Sequence, residues 1–296
     1  MNKMKAGYIA IIGRPNVGKS TLLNALVGEK ISITAPKPQT TRMQILGIKT
    51  TDTAQMIFID TPGLHDDDKP RAMNRYMNKI ANASVDDADV IIWMIEAIGL
   101  READNIALKK LKSLNQPVIL VINKIDLLKE KEALLTLITK LKDSYPFAAI
   151  VPLCAKRTDS LQGLEKEIIR LLPKGEMIFQ DEEITDKSIR FLAAEMIREK
   201  LVRFTNQELP YATTVSIEYY HEGETLIEMQ AVIWVEREGQ KAIVIGKGGA
   251  LLKKIGTDAR RDIEKLVDKK VFLRLWVRVK ADWTDDERAL KQFGYE

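Results

Sequence analysis

The segment Gly13-Arg14-Pro15-Asn16-Val17-Gly18-Lys19-Ser20-Thr21 decides the fold. Its first eight residues have the spacing G-x-x-x-x-G-K-[ST], with a short apolar run at 8–12 before them and a helical pattern after them. A glycine-rich turn between strand and helix surrounds phosphate oxygens with backbone N–H groups and with the positive end of the helix. Glycine is required because the backbone itself closes round the anion. Lys19 then reaches the terminal phosphates as the cationic catalytic group, and Ser20 offers its hydroxyl to Mg²⁺.

Outward from this turn, apolar runs at 44–51, 55–60, 89–95, 117–122 and 150–153 alternate with longer helical stretches. That order predicts an α/β domain, a mixed but mostly parallel sheet with helices on both faces. Only a few residues separate 44–51 from 55–60, so these two runs are expected to pair antiparallel. Asp60-Thr61-Pro62-Gly63 places a carboxylate at the C-terminal end of a strand, where open α/β sheets gather ligands. Asp60 is expected to hold Mg²⁺ through water, and Gly63 to offer an N–H to a γ-phosphate. Asn123-Lys124-Ile125-Asp126 closes another strand and fits the guanine motif NKxD. The Asp126 carboxylate accepts from both N1–H and the exocyclic amine of guanine, a donor pair that adenine lacks, so GTP and GDP are favoured over adenine nucleotides.

The pattern changes after 173–186, which reads as a linker with a proline, a glycine and no sustained periodicity. Beyond it come a helix at 188–205, a hairpin of 213–221 and 225–235, a helix at 250–267 and a strand at 271–279. This is a compact α+β order. The expected domains are 1–173, a linker 174–186, a second domain 187–280 and a tail 281–296. Overall charge is only +4, but its distribution is uneven. Residues 237–280 carry thirteen Lys or Arg against five Asp or Glu, whereas 208–236 carry six acidic residues and no basic ones. Within the basic region, Gly246-Lys247-Gly248-Gly249 opens a helix bearing Lys253 and Lys254, which is how a KH domain brings its backbone against a sugar-phosphate chain. Trp234 and Trp276 read as core residues. Trp283 is open between packing and binding, and His65 and His221 lack metal-ligand spacing.

On these motifs the chain resembles the translation-factor-related GTPases and, within them, the Era-like group. The resemblance assigns Pro38-Gln39-Thr40-Thr41-Arg42 to a switch segment whose threonine binds Mg²⁺ and serves catalysis, with Thr41 favoured over Thr40. It matches Cys154-Ala155-Lys156 to the last base-contacting loop, in which the N–H of Ala155 would meet the base. Leu64 stands where Ras-like proteins place a water-orienting glutamine, so slow intrinsic hydrolysis is expected. Asn16 is either a K⁺ ligand or a stabiliser of the loop turn. The resemblance also implies a type II KH domain that binds the 3′ end of small-subunit ribosomal RNA. Further implied are a role in assembly of the small ribosomal subunit, and peripheral association with the inner membrane. A single cysteine excludes an intrachain disulfide, and the apolar start of the chain is too short for a signal core. A cytoplasmic setting is expected, with the monomer as the favoured state.

Overall fold

The computed structural model describes residues 4–37, 39–62, 72–205 and 209–295, in two compact units. The expectations for Gly63, Leu64 and His65 lie outside the described residues. The first unit is built on a six-stranded sheet in the order β2-β3-β1-β4-β5-β6. Its strands are β1 (Lys5–Ile12), β2 (Ile45–Thr50), β3 (Ala54–Asp60), β4 (Val90–Glu96), β5 (Val118–Asn123) and β6 (Ala149–Pro152). All neighbours run parallel except β2 and β3, which are antiparallel as their short connection requires. Strands β3, β4 and β5 are buried at every position, the pattern of strands covered on both faces. On one face Ile91, Trp93, Ile95 and Leu120 pack with Ala107 and Leu111 of α3 (Glu102–Leu111) and Leu141 of α4 (Lys131–Leu141). Helix α1 (Lys19–Val27) buries Leu22, Leu23 and Leu26. Helices α2 (Ala72–Asp86) and α5 (Gln162–Leu171) complete the order. The stretch read as a linker lies along the sheet edge: Ile48 N–H donates to Ile184 at 2.9 Å, and Gln55 accepts from Ile178 and Phe179 at 2.7 and 2.9 Å.

Of the described residues, the second unit comprises 187–205 and 209–295 together with 33–37, 39–40 and 72–76. Helix α6 (Ile189–Phe204) is followed by β7 (Thr214–Glu222), β8 (Leu226–Val235), α7 (Glu238–Ile245), α8 (Ala250–Val267) and β9 (Lys270–Val279). The sequence reading lacked α7, so the order is α–β–β–α–α–β. The sheet order is β7-β8-β9, with β7–β8 antiparallel and β8–β9 parallel. One face carries the core: Met196, Ile197 and Leu201 of α6 and Ile255, Ala259 and Ile263 of α8 close over Ile227, Ala231 and Val277. The segment before Thr41 belongs here because Glu199, buried in α6, accepts from Thr34 N–H at 3.2 Å, and Arg203 donates to the Thr34 carbonyl at 2.8 Å. The tail, with α9 (Glu287–Gln292), folds back. Trp283 packs rather than binds: it is fully buried, donates to the Ala212 carbonyl at 3.1 Å and meets Phe293 edge-on.

Candidate functional site

Parallel strands leave their C-terminal ends along one rim, and the functional residues of the first unit gather there. The turn of residues 13–18 leaves β1 with Gly13, Asn16 and Gly18 at positive φ. Gly18 is forced twice over: its φ is 108°, and a Cβ there would stand 2.4 Å from Asn123 Nδ2. Lys19, the first residue of α1, turns back so that Nζ donates to the carbonyls of Gly13 at 2.9 Å and Arg14 at 3.2 Å. Burial pulls its pKa from 10.5 to about 8, against the opposing attraction of Asp60. The turn thus closes round a buried ammonium held by two of its own carbonyls.

Beside it Ser20 Oγ lies 2.7 Å from Asp60 Oδ2 and 2.9 Å from Thr41 Oγ1, while Thr41 Oγ1 is 3.5 Å from Asp60. Ser32, which sequence reasoning missed, also donates to Asp60 Oδ2, at 2.8 Å. Asp60 is fully buried, and burial raises its pKa while the three hydroxyls and Lys19 oppose the rise. Among the described residues its Oδ1 has no hydrogen-bond partner. An orphaned buried carboxylate oxygen among hydroxyls fits a hard divalent cation. Thr40 does not join this group: its hydroxyl donates to the Lys37 carbonyl at 2.6 Å.

At the base end, Asn123 is the hinge-pin between three motifs. Its Nδ2 donates to the Val17 carbonyl at 2.8 Å and its Oδ1 accepts from Ala155 N–H at 2.9 Å. The Ala155 N–H, expected to face the base, is therefore engaged by a side chain that fixes the loop. Asp126 is exposed and stands within hydrogen-bonding reach of the buried Cys154 thiol, whose pKa is raised first by burial and then by that carboxylate. Lys124, at φ 63°, donates to the Asn16 carbonyl at 2.8 Å and pairs with Glu96. Glu96 also pairs with Arg14, whose Nε lies 3.3 Å from Asp104. Burial pushes the Glu96 carboxyl up, but the hydrogen bonds from Lys124 and Arg14 outweigh it and hold the pKa below the usual carboxylate range.

In the second unit the Gly246–Gly249 turn joins α7 to α8 with Gly246, Gly248 and Gly249 all at positive φ. At Gly248 and Gly249 an added Cβ would meet nothing within 4 Å, so their bare backbone faces open space. Next to it runs a groove of about 370 Å³ between α8 and β9, lined by Gly249, Lys253, Thr257 and Arg260 on one side and Leu273 and Leu275 on the other. Of the two lysines expected to meet RNA, Lys253 lines the groove, whereas Lys254 is exposed with its Nζ over the Phe204 ring at 4.3 Å. The strand that walls the groove is β9.

Residues 8–124 match the family model described as 50S ribosome-binding GTPase, and 208–284 match the KH domain model. The GTPase Era of Xylella fastidiosa (strain M12) is 52% identical over 292 residues, which are 99% of this chain and 98% of that protein. The chain belongs to the Era family of GTPases. The GTPase Era of Stenotrophomonas maltophilia is 53% identical over 290 residues, 98% of this chain and 97% of that protein. A crystal structure of Era in complex with MgGDPNP and nucleotides 1506–1542 of 16S ribosomal RNA superposes with a TM-score of 0.94 at 43% identity over 99% of both chains. An Aquifex aeolicus Era variant bound to GDP and AlF4⁻ gives 0.95 at the same identity and coverage. Era-family membership makes the chain a GTPase. Glu96 went unread in the sequence although it ends β4 in register with Asn123 on β5, at the same rim as Asp60. An ionisable residue closing an apolar strand was the available signal.

Proposed function

We propose that this Era-family GTPase is a Mg²⁺-dependent, guanine-specific switch. In this reading it binds the 3′ end of small-subunit ribosomal RNA in the groove between α8 and β9 and acts in assembly of the small subunit. The observation that carries the nucleotide half is the convergence of Ser20, Thr41 and Asp60, with one buried carboxylate oxygen that has no partner among the described residues. The RNA half is supported by the bare glycine backbone beside Lys253 and Arg260, and by the relative crystallised with 16S ribosomal RNA.

Ser20, Thr41 and Asp60 would hold the magnesium ion, which when bound offsets charge on the β- and γ-phosphates. Burial lowers the Lys19 pKa to about 8, and phosphate oxyanions would stabilise the buried ammonium and take its hydrogen bonds from Gly13 and Arg14. The positive end of α1 adds to the same field. Asp126, exposed, accepts from the guanine edge, while Asn123 keeps base loop and phosphate loop at one spacing. No glutamine follows the Asp60 motif, so a monovalent cation held by Asn16 is part of the proposal. A higher turnover in K⁺ than in Na⁺, lost in Asn16→Ala, tests it. Peripheral attachment to the cytoplasmic face of the inner membrane rests on the basic surplus and is tested by flotation with anionic vesicles.

The deciding experiment is an electrophoretic shift with an oligonucleotide matching the 3′ end of small-subunit ribosomal RNA, beside a scrambled one. Preferential binding that disappears in Lys247→Asp/Gly248→Asp, with GTP binding intact, is expected. Equal affinity for both RNAs overturns the reading.

A further inference from the structure

Strand β9 has two faces, and only one is spent on the groove and core. Leu273 and Leu275 look into the groove and Val277 into the core. The alternate positions are Lys270, Phe272, Arg274, Trp276 and Arg278, a regular succession of cation and aromatic ring on the side away from the helices. Phe272 is 46% exposed and Trp276 38%, so the sequence expectation that Trp276 is core is corrected. Tyr219, 42% exposed on β7, lies on the same face, since its partner Gln230 on β8 is in register with Arg274. One end of this face is covered: the tail's Phe293 meets Trp234 at 5.5 Å between ring centres, and Val232, in register with Trp276, is buried. The Arg274 guanidinium lies over the Phe272 ring, 5.0 Å from its centre, a cation–π contact.

We propose that this outer sheet face is a second RNA platform, continuous across β9 with the groove, on which bases flanking the clamped segment stack. The inference rests on the RNA reading above and extends it. Exposed rings at alternate strand positions supply π-faces for bases, and interleaved Arg and Lys supply phosphate contacts, the combination that suits single strands. Successive outward side chains stand about 6.7 Å apart along the strand, close to the repeat of an extended nucleotide chain. A protein partner would be met by rings without this run of cations. The acidic groups of the face, Glu228 and Glu218, lie on β8 and β7, and Glu218 is paired with Arg278 at 3.2 Å.

The test compares two RNAs on the full-length chain: a short oligomer of about four nucleotides that fills the groove, and the same segment extended by about eight nucleotides. Phe272→Ala/Arg274→Glu should leave the short oligomer within about twofold of wild type and weaken the long one about tenfold or more. Trp276→Phe, which keeps a ring, should retain long-RNA affinity and lose the tryptophan quenching that the long RNA produces. Equal affinity of wild type and double variant for the long RNA, with Lys247→Asp/Gly248→Asp still abolishing the short one, overturns the platform and leaves the groove standing. Wild-type chain that binds neither RNA overturns both. A double variant unchanged toward RNA but altered in sedimentation makes the face a protein surface and also overturns the proposal.

Discussion

Asn123 Nδ2 donates to the Val17 carbonyl at 2.8 Å, so the residue that opens the guanine motif is bonded directly to the phosphate loop. On the proposed function, base recognition and phosphate recognition would share one buried amide. Asn123→Ala leaves the Val17 carbonyl and the Ala155 N–H without that partner at a cost of about 1–3 kcal/mol each. GDP and GTP affinities should fall together, by about tenfold to several hundredfold, as read by calorimetric titration. Loss of one nucleotide's affinity alone would show that the amide does not tie the two loops.

Asp126→Asn removes the carboxylate that, on the proposed function, would accept from guanine N1–H and its amine. Preference should move from GTP to xanthosine triphosphate, whose ring has a carbonyl where guanine has the amine. Competition with a fluorescent nucleotide reads the change.

Glu96 neutralises two cations, Arg14 of the phosphate loop and Lys124 of the guanine loop, in a buried setting. Glu96→Gln keeps the shape and removes the charge, leaving Arg14 with Asp104 alone. Breaking one member of a buried ionic group costs about 3–5 kcal/mol. Chemical denaturation should show most of that loss, and GDP should leave faster in stopped flow. A variant as stable as wild type would make the network a surface ornament.

Lys19 gives a pH signature. With its folded value near 8 and its ordinary value 10.5, the unfolded chain binds a proton that the folded chain lacks between those two values. Nucleotide-free stability should therefore rise with pH from about 8 to about 10.5, by up to about 3 kcal/mol, the penalty being complete below that window. Lys19→Met should be more stable than wild type at pH 7.5 and lack the rise, while failing to bind GTP. Urea unfolding of both proteins across the window measures the difference.

Lys253 and Lys254 are neighbours in sequence with different partners. Lys253→Ala should weaken RNA binding and reduce the salt slope by about 0.7, the value for one single-strand phosphate. Lys254→Ala should leave RNA affinity unchanged and lower thermal stability slightly through loss of its contact with Phe204. A filter-binding series at several salt concentrations separates them.

These two lysines also show what a sequence discloses. The phosphate and guanine motifs are contiguous runs whose spacing is the chemistry, so Lys19, Ser20, Asp60 and Asn123 were legible. Adjacent helical positions point about 100° apart, and which of 253 and 254 meets the groove depends on where β9 lies. Ser32, Glu96 and Asp104 reach the site only through folding, from separate segments. Helix α7 was missed because Ala242-Ile243-Val244-Ile245 has the composition of a strand and only eight residues in which to show a period. On β9 apolar and aromatic residues occupy both faces, so alternation alone did not say which was inside; α8 decides it by covering Leu273 and Leu275.

Cys154 is the chain's only thiol, and it is buried in the loop that Asn123 and Asp126 organise. Any sulfhydryl reagent added to the native protein therefore interrogates a single atom at the guanine edge. Labelling must wait for that loop to open, so its rate clocks the opening. Saturating GDP should slow the reaction, and the kinetics of dye uptake would follow nucleotide residence without any engineered probe.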